Sequence, residues 1–369
     1  MTLFHLLKSI AQILAVVFSM LINCIQIVLV VHESPQKMGN YKFLLIFFCV
    51  ISIVYAGIDF IVQPFLHSYG SSFSMIMDLR NSWLIEFRYV AFFFTASLAA
   101  CFGMSIYAIA INFVYRFFAI ERKRGTQYFA GYRLLVWMTI PIIFGIIWLS
   151  VGIFALDYDE QLVEYVSESI NNSYGLDSRQ ITLTGCMYFD PPHENSGDWN
   201  WRWEDTIGAG ILTAVMGIAF NIICFFGYKT HRKINSITEN GESKFARRLQ
   251  KQLYHALLAQ TAIPLIFLFF PIGALFTAPL LHISLEKFSP LVTFFYSFYP
   301  CVDPIPTLYF VDEYRNGLLP AKAQQESSDL GSFNGYLIRN GRGNYRFFPQ
   351  LVYSTLSIYI CCKFIDFNH

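Results

Sequence analysis

The apolar stretches of this chain hold few ionisable side chains, and chemistry would concentrate at those few. Two are carboxylates, Asp59 and Asp303. A buried carboxylate is costly without a partner, so such groups face a protein interior. They mark a binding site, a proton path or a polar tie between helices. Asp303 stands among Pro300, Pro304 and Pro306 in the run "FYPCVDPIPTLYFVDEYR". Each proline lacks an N–H and frees a carbonyl on the preceding turn, which predicts a kinked helix with Asp303 beside the gap. Asp303, Pro304 and Pro306 therefore read either as a static packing kink or as a moving switch. Ser52, Tyr55 and Asp59 share one helical face with Gln63 and make a predicted intramembrane polar cluster. Interhelical hydrogen bonding, ligand contact and proton coupling are all open for it. Phe94, Cys101, Ser105, Asn112 and Arg116 make a similar stripe. Arg116, at its end, is either a boundary charge reaching for the interface or part of a switch facing a partner. No glycine-rich phosphate loop, nucleophile elbow or paired-histidine site occurs, and none of the eight cysteines has metal-ligand spacing with a histidine. An enzyme, a metal and a cofactor are not expected.

The elements that position these residues follow from composition. Of 369 residues, 55% are hydrophobic and 14% charged, against about 25% charged in a soluble domain. A helix needs about 20 mainly apolar residues to cross a bilayer. Seven stretches qualify: 9–31, 41–62, 89–115, 134–156, 206–228, 253–279 and 288–311. The expectation is an all-α membrane protein, a seven-transmembrane helix bundle over residues 1–318 with a tail over 319–369. The first stretch reads as a retained span, because its apolar run exceeds a signal peptide's core and no small-residue cleavage site follows. Pro264 and Pro271 are expected to bend the sixth span. In the tail, 351–367 is apolar but broken by Lys363. A membrane-surface segment, a short eighth span and a mispredicted coding end are the readings for it, with Cys361 and Cys362 as acylation candidates.

Charge is segregated along the chain. The loop from Asp157 to Asp205 carries eleven acids against Arg179 and Arg202. The loop after the fifth span carries Lys229, Arg232, Lys233, Lys244, Arg247, Arg248 and Lys251 against Glu239 and Glu242. Basic loops stay cytoplasmic, which predicts the N-terminus outside and the C-terminal side of the seventh span inside. The glycosylation triplet Asn171-Asn172-Ser173 falls in the acidic loop, on the predicted outer face. The charge pattern gives no footprint for nucleic acid.

Five strings carry a family resemblance: "KMGNYKFLLIFF", "QPFLHSYGSSF", "FVYRFFAI", "LQKQLYHALLAQTAIPLIFLFFPIG" and "YPCVDPIPTLYFVDEYRNGL". Together they resemble the nematode seven-transmembrane serpentine chemoreceptors of the Str type, which are G-protein-coupled receptors. The resemblance implies a plasma-membrane receptor, in a sensory-neuron cilium, that binds an extracellular small molecule and activates a heterotrimeric G protein. Tyr115 and Arg116 would match the family's tyrosine–arginine pair. With Lys229, Arg232, Lys233, Arg247 and Arg248, they would receive the G protein. Asp303-Pro304 would stand where rhodopsin-like receptors carry asparagine–proline, although the usual tyrosine spacing after that proline is absent. Phe94, Ser97, Thr213, Phe270 and Tyr296, chosen by depth, are the candidate ligand pocket. Cys186 lies where such receptors form an outer disulfide, but no cysteine lies between Gln63 and Phe94, so none is expected. A ligand-gated channel or small-molecule transporter is the alternative. No internal repeat and two acids at different depths weigh against a transporter, and the loop charges oppose the inverted topology of an odorant-gated channel.

Overall fold

A computed structural model describes residues 3–35, 38–80, 82–120, 125–190, 200–236 and 244–317. The chain folds mainly into helices. Among the described residues, five are long and apolar enough to cross a membrane. They are α1 (Leu3–Glu33), α2 (Tyr41–Val62), α3 (Arg88–Ile120), α4 (Tyr132–Phe154) and, past intervening elements, α6 (Trp203–Ser236). Ile10, Leu14, Val17 and Leu21 on α1, with Leu135 and Ile146 on α4, are exposed apolar side chains. On a membrane helix that is the lipid face. α3 is buried along most of its length and packs against α2, α4 and α6, so it runs through the middle.

The expected sixth and seventh spans are broken helices. The sixth consists of α7 (Lys244–Pro264), one wide π turn over Leu265–Phe269 and α8 (Phe270–Thr277). Pro264 and Pro271 flank that turn, and each removes a backbone donor. The seventh consists of α9 (Ser289–Val302) and α10 (Ile305–Phe310), followed by α11 (Asp312–Gly317). Three prolines produce one break, at Asp303–Pro304. Pro300 is accommodated inside α9, and Pro306 lies in the first turn of α10, where its missing N–H has no helical partner to lose.

The all-α expectation needs correction. A three-stranded antiparallel sheet, in the order β1 (Phe65–Tyr69), β2 (Ser72–Asp78), β3 (Ile181–Met187), caps one end of the bundle. A second pair joins β4 (Phe189–Asp190) to β5 (Asn200–Trp201). β1 and β2 form a hairpin closed by Tyr69 opposite Ser72. Gly70 takes φ +52° in its tight turn, a conformation that suits a residue without Cβ. The strands alternate faces. Leu66, Phe73, Met75 and Thr184 point toward the bundle. Phe65, Ile76, Leu183 and Met187 instead join Leu162, Val166 and Ile170 of α5 (Glu160–Tyr174) in a separate small core. Asp159 caps α5 by accepting from the N–H groups of Gln161 and Leu162. The sheet thus has hydrophobic cover on both faces.

Asn171 is exposed in the last helical turns of α5, and the Ser173 hydroxyl donates to Glu286 Oε1 at 2.7 Å. Cys186 is a buried free thiol on the bundle-facing side of β3. The tail 319–369, with 351–367, Cys361 and Cys362, lies outside the described residues, as do the side chains of Lys244 and Arg247.

Candidate functional site

Three internal regions follow one another along the bundle axis. Nearest the sheet lies a cavity of ≈ 80 Å³. Leu66, Phe73, Met75 and Thr184 roof it. Phe102, Trp148, Met216, Ile272, Phe276 and Tyr296 form much of its wall. Its hydroxyls are already engaged with backbone: Thr184 donates to Leu156 O at 2.8 Å, Thr213 to Ala209 O at 2.9 Å and Tyr296 to Leu98 O at 3.2 Å. The lining carries no charged side chain, so it suits a small, neutral, mainly apolar molecule. Two of the five pocket candidates, Thr213 and Tyr296, line it; Phe94, Ser97 and Phe270 do not. Ser97 projects from the face of α3 opposite Ala99 and Phe102, and Phe270 is 58% exposed. Depth alone carries no azimuth, and the wide turn before Phe270 shifts the helical phase that a straight helix would give.

Behind Tyr296 the rings continue. Tyr55 meets Tyr296 edge-on with centroids 5.7 Å apart and lies 5.7 Å from Tyr299. Tyr299 lines a second cavity, of ≈ 20 Å³, together with Asn23, Gln26, Ser52, Asn112 and Asp303. This cavity is polar and sits at the break between α9 and α10. The side-chain carbonyl oxygens of Asn23, Gln26 and Asn112 accept no hydrogen bond there. Pro304 leaves the Pro300 carbonyl without its helical donor, and Asn23 Nδ2 supplies one at 3.1 Å. Gln260 Nε2, from α7, donates to the Asp303 carbonyl at 2.8 Å. The break is therefore held by side chains of α1 and α7, as the sequence predicts for freed carbonyls.

Ser52, Tyr55 and Asp59 are all buried, but they address three different partners rather than one another. Ser52 faces Asp303 and Tyr55 the two tyrosines, while Asp59 lies near Ser297 of α9 and Lys8 of α1. Lys8 is 4% exposed and Asp59 1%. The ammonium donates to Gln12 Oε1 at 3.1 Å and to the Gln63 carbonyl at 2.7 Å, and sits 3.6 Å from the Phe65 ring centroid. Lys8 belongs to this buried polar group, and the span boundary at residue 9 excludes it. The signal was present: Lys8, Gln12, Ser19, Asn23 and Gln26 recur at spacings that keep one helical face, and all five are buried.

At the far end, Arg116 is 1% exposed, which removes the reading of a side chain reaching for the interface. Its guanidinium carbon lies 3.6 Å from the Tyr41 ring centroid, and Nε and Nη2 have no hydrogen-bond partner. Tyr41 in turn stacks on Tyr115 at 5.0 Å. Asn112, in the polar cavity, is one helical turn from Arg116 on α3. Lys229 lies 4.2 Å from the Phe225 ring centroid and Lys233 5.3 Å from that of Phe117, while Arg232 is exposed. Arg248 pairs with Asp312 of α11 at 2.5 Å, and Gln252 Nε2 donates to the same carboxylate. Those two contacts tie α7 to the segment after the seventh expected span.

The chain is similar to known proteins over most of its length. The model of the family described as serpentine type 7TM GPCR chemoreceptor Str matches residues 8–319. Serpentine receptor class r-10 of Caenorhabditis elegans is 29% identical over 298 residues, covering 79% of this chain and 85% of that protein. The Caenorhabditis briggsae protein of the same name is 30% identical over 300 residues, covering 79% and 84%. G-protein coupled receptor str-33 of C. elegans is 24% identical over 312 residues, covering 84% and 89%.

Proposed function

This chain belongs to the Str family of serpentine 7TM GPCR chemoreceptors, and from that premise we propose that it is a chemosensory receptor for a small, neutral, apolar molecule and that it activates a heterotrimeric G protein. The observation that carries the reading is continuity. An uncharged cavity under the sheet is joined through Tyr296, Tyr55 and Tyr299 to the polar cavity at Asp303, and from there along α3 to Arg116. A ligand shifts such a molecule only through unequal affinity for its two arrangements. Tyr296 contributes to the ligand cavity and to the ring chain, so its position can differ between them.

The sheet end faces outside in this reading, because the acidic loop lies there and the basic ends of α6 and α7 lie opposite. Asp303, Pro304 and Pro306 act as the switch, since the break has weak internal backbone bonding and borrows its partners from α1 and α7. Arg116 is capped by Tyr41 in the resting arrangement. Release of that cap, with outward movement of α7 from Asp312, would present Arg116, Tyr115, Lys229, Arg232, Lys233, Arg247 and Arg248 to the G protein. The setting that follows is the plasma membrane of a chemosensory neuron, in its cilium, with Asn171 glycosylated on the outer face.

The test is a second-messenger response in cells displaying the chain, across a panel of small neutral odorants, repeated with Arg116→Ala and Asp303→Ala. A response lost in Arg116→Ala at unchanged surface level is expected. A fast ion current that needs no G protein and ignores Arg116 would replace the receptor with a channel.

A further inference from the structure

We infer that the ligand enters the cavity sideways from the lipid, between α6 and α8, and is therefore a neutral molecule concentrated by the bilayer rather than one captured from water. The inference rests on the reading of the cavity under the sheet as the ligand site, and it is carried by the difference between the cavity's roof and its wall.

The roof is two layers thick. β1, β2 and β3 are joined in continuous antiparallel register, with Leu66 opposite Met75, Met75 opposite Thr184 and Phe73 opposite Cys186. Above them lies the α5 core. The roof is also fastened to the helices on several sides. The N–H of Leu66 donates to Thr293 Oγ1 at 3.0 Å, and that of Ser68 to Ser289 Oγ at 3.2 Å, which stitches β1 to α9. Tyr188 Oη donates to the Phe276 carbonyl at 2.9 Å, which holds the strand end to α8. Tyr174 Oη donates to the Leu66 carbonyl at 2.9 Å, and the Ser169 and Ser173 hydroxyls both donate to Glu286. Entry from water would have to break sheet hydrogen bonds and expose an apolar core at once.

The wall differs from side to side. Between α4 and α6 it is tight: a Cβ on Gly208 would lie 2.8 Å from that of Ala155. α3 packs along α4 and α6, and α9 packs against the wide turn and α8. α6 and α8 are not among the closely packed helix pairs, and a ring contact between Phe220 and Phe269, at 5.7 Å, joins the two spans deeper in the bundle. Lining residues on both sides of this seam are accessible. Thr213 on α6 lines the cavity and is exposed, while Gly273 on α8 lines it and is half-buried. A Cβ at Gly273 would meet nothing within 4 Å. Open space beside a glycine on one helix and a small threonine side chain on the other are what a passage between two lipid-facing helices requires. A charged or strongly polar ligand could not use it, because such groups are expensive in hydrocarbon.

The test uses 1-bromooctane as probe, with the receptor in lipid nanodiscs. Bromine quenches tryptophan fluorescence at contact, and Trp148 lines the cavity. Its signal is the difference between the intact chain and Trp148→Phe. Gly273→Phe and, on the opposite side of the seam, Thr213→Phe plug the passage. Cysteines at the paired positions Ser72 and Met187 cross-link the roof. Saturable quenching of Trp148 is expected. Both plugs should slow onset and washout together by about tenfold, one decade in rate, and the cross-linked roof should leave them unchanged. Unchanged rates in both plugs, or slowing only in the cross-linked roof, would overturn lateral entry while leaving the cavity as a ligand site. If Trp148 shows no saturable quenching in any form, the reading of the cavity itself falls, and the route with it.

Discussion

Asp59 of α2 is buried near Lys8 of α1 and Ser297 of α9. Its helical face was clear from spacing, and a buried acid must look inward. Its partner, Lys8, was hidden because the apolar run begins at Ser9 while α1 begins at Leu3. Helix ends recruit polar residues that hydropathy leaves out. The two are electrostatic neighbours without a direct hydrogen bond, and each compensates the other beside the bonds that Lys8 makes to Gln12 and to the Gln63 carbonyl. Removing one should hurt more than removing both. Asp59→Leu or Lys8→Met alone is expected to lower stability by about 2–4 kcal/mol, and the double substitution by less than either. Thermal unfolding of the four variants in detergent checks this; additive losses would mean that the pair is uncoupled. Asn23 supports a second expectation. With Asn23→Leu the buried Pro300 carbonyl loses its donor, a loss of about 1–3 kcal/mol. A thermal midpoint equal to that of the intact chain would show that the carbonyl finds another donor.

At the scale of elements, the five long helices were readable because membrane spans need length and little else. The broken sixth and seventh spans were partly readable, since the prolines announced a break. Their number did not tell where it would fall. The sheet was not readable as such. Its strands are short, and their residues are buried on both faces, so the alternation of apolar and polar residues that marks a half-buried strand is blurred. Its behaviour with pH follows from the residues it buries. Burial pushes the His67 imidazole down to about 4 from its ordinary 6.5, against the pull of Glu286. Burial alone would raise Glu286, but the hydroxyls of Ser169 and Ser173 outweigh it, together with His67, and hold the carboxyl below its usual range. Tyr69 and Tyr174 are the other titratable rings packed on His67. As pH falls below 6.5, the unfolded cap takes up a proton on His67 before the folded cap does. Stability is therefore lost progressively from 6.5 down to about 4. The Glu286 contribution is complete above the ordinary carboxylate range and is lost when pH falls through its lowered folded value. Both changes weaken the cap in acid. With the pH dependence of intrinsic exchange divided out, amide protection in residues 65–78 and 160–187 should fall between about pH 7.5 and about pH 5, and His67→Gln should flatten the fall. Equal protection at both values in the intact chain would contradict the assignment.

For the whole molecule, charge segregation and seven apolar stretches gave the class, and the family strings gave the kind of receptor. The path joining its parts needed three dimensions. Tyr296, Tyr55 and Tyr299 are contributed by two helices far apart in sequence, and no spacing rule brings them together. The central claim is that occupancy of the cavity under the sheet drives a G protein through that path. The most direct measurement is ligand-stimulated nucleotide exchange on a heterotrimeric G protein by the receptor in nanodiscs, in three forms: intact, Met216→Trp and Arg116→Ala. Met216→Trp fills the ligand cavity, whereas Arg116→Ala leaves it untouched. A signalling receptor should stimulate exchange when intact and in neither variant, with ligand binding lost only in Met216→Trp. Stimulation that survives in Arg116→Ala, or a ligand that still drives exchange with the cavity filled, would contradict it.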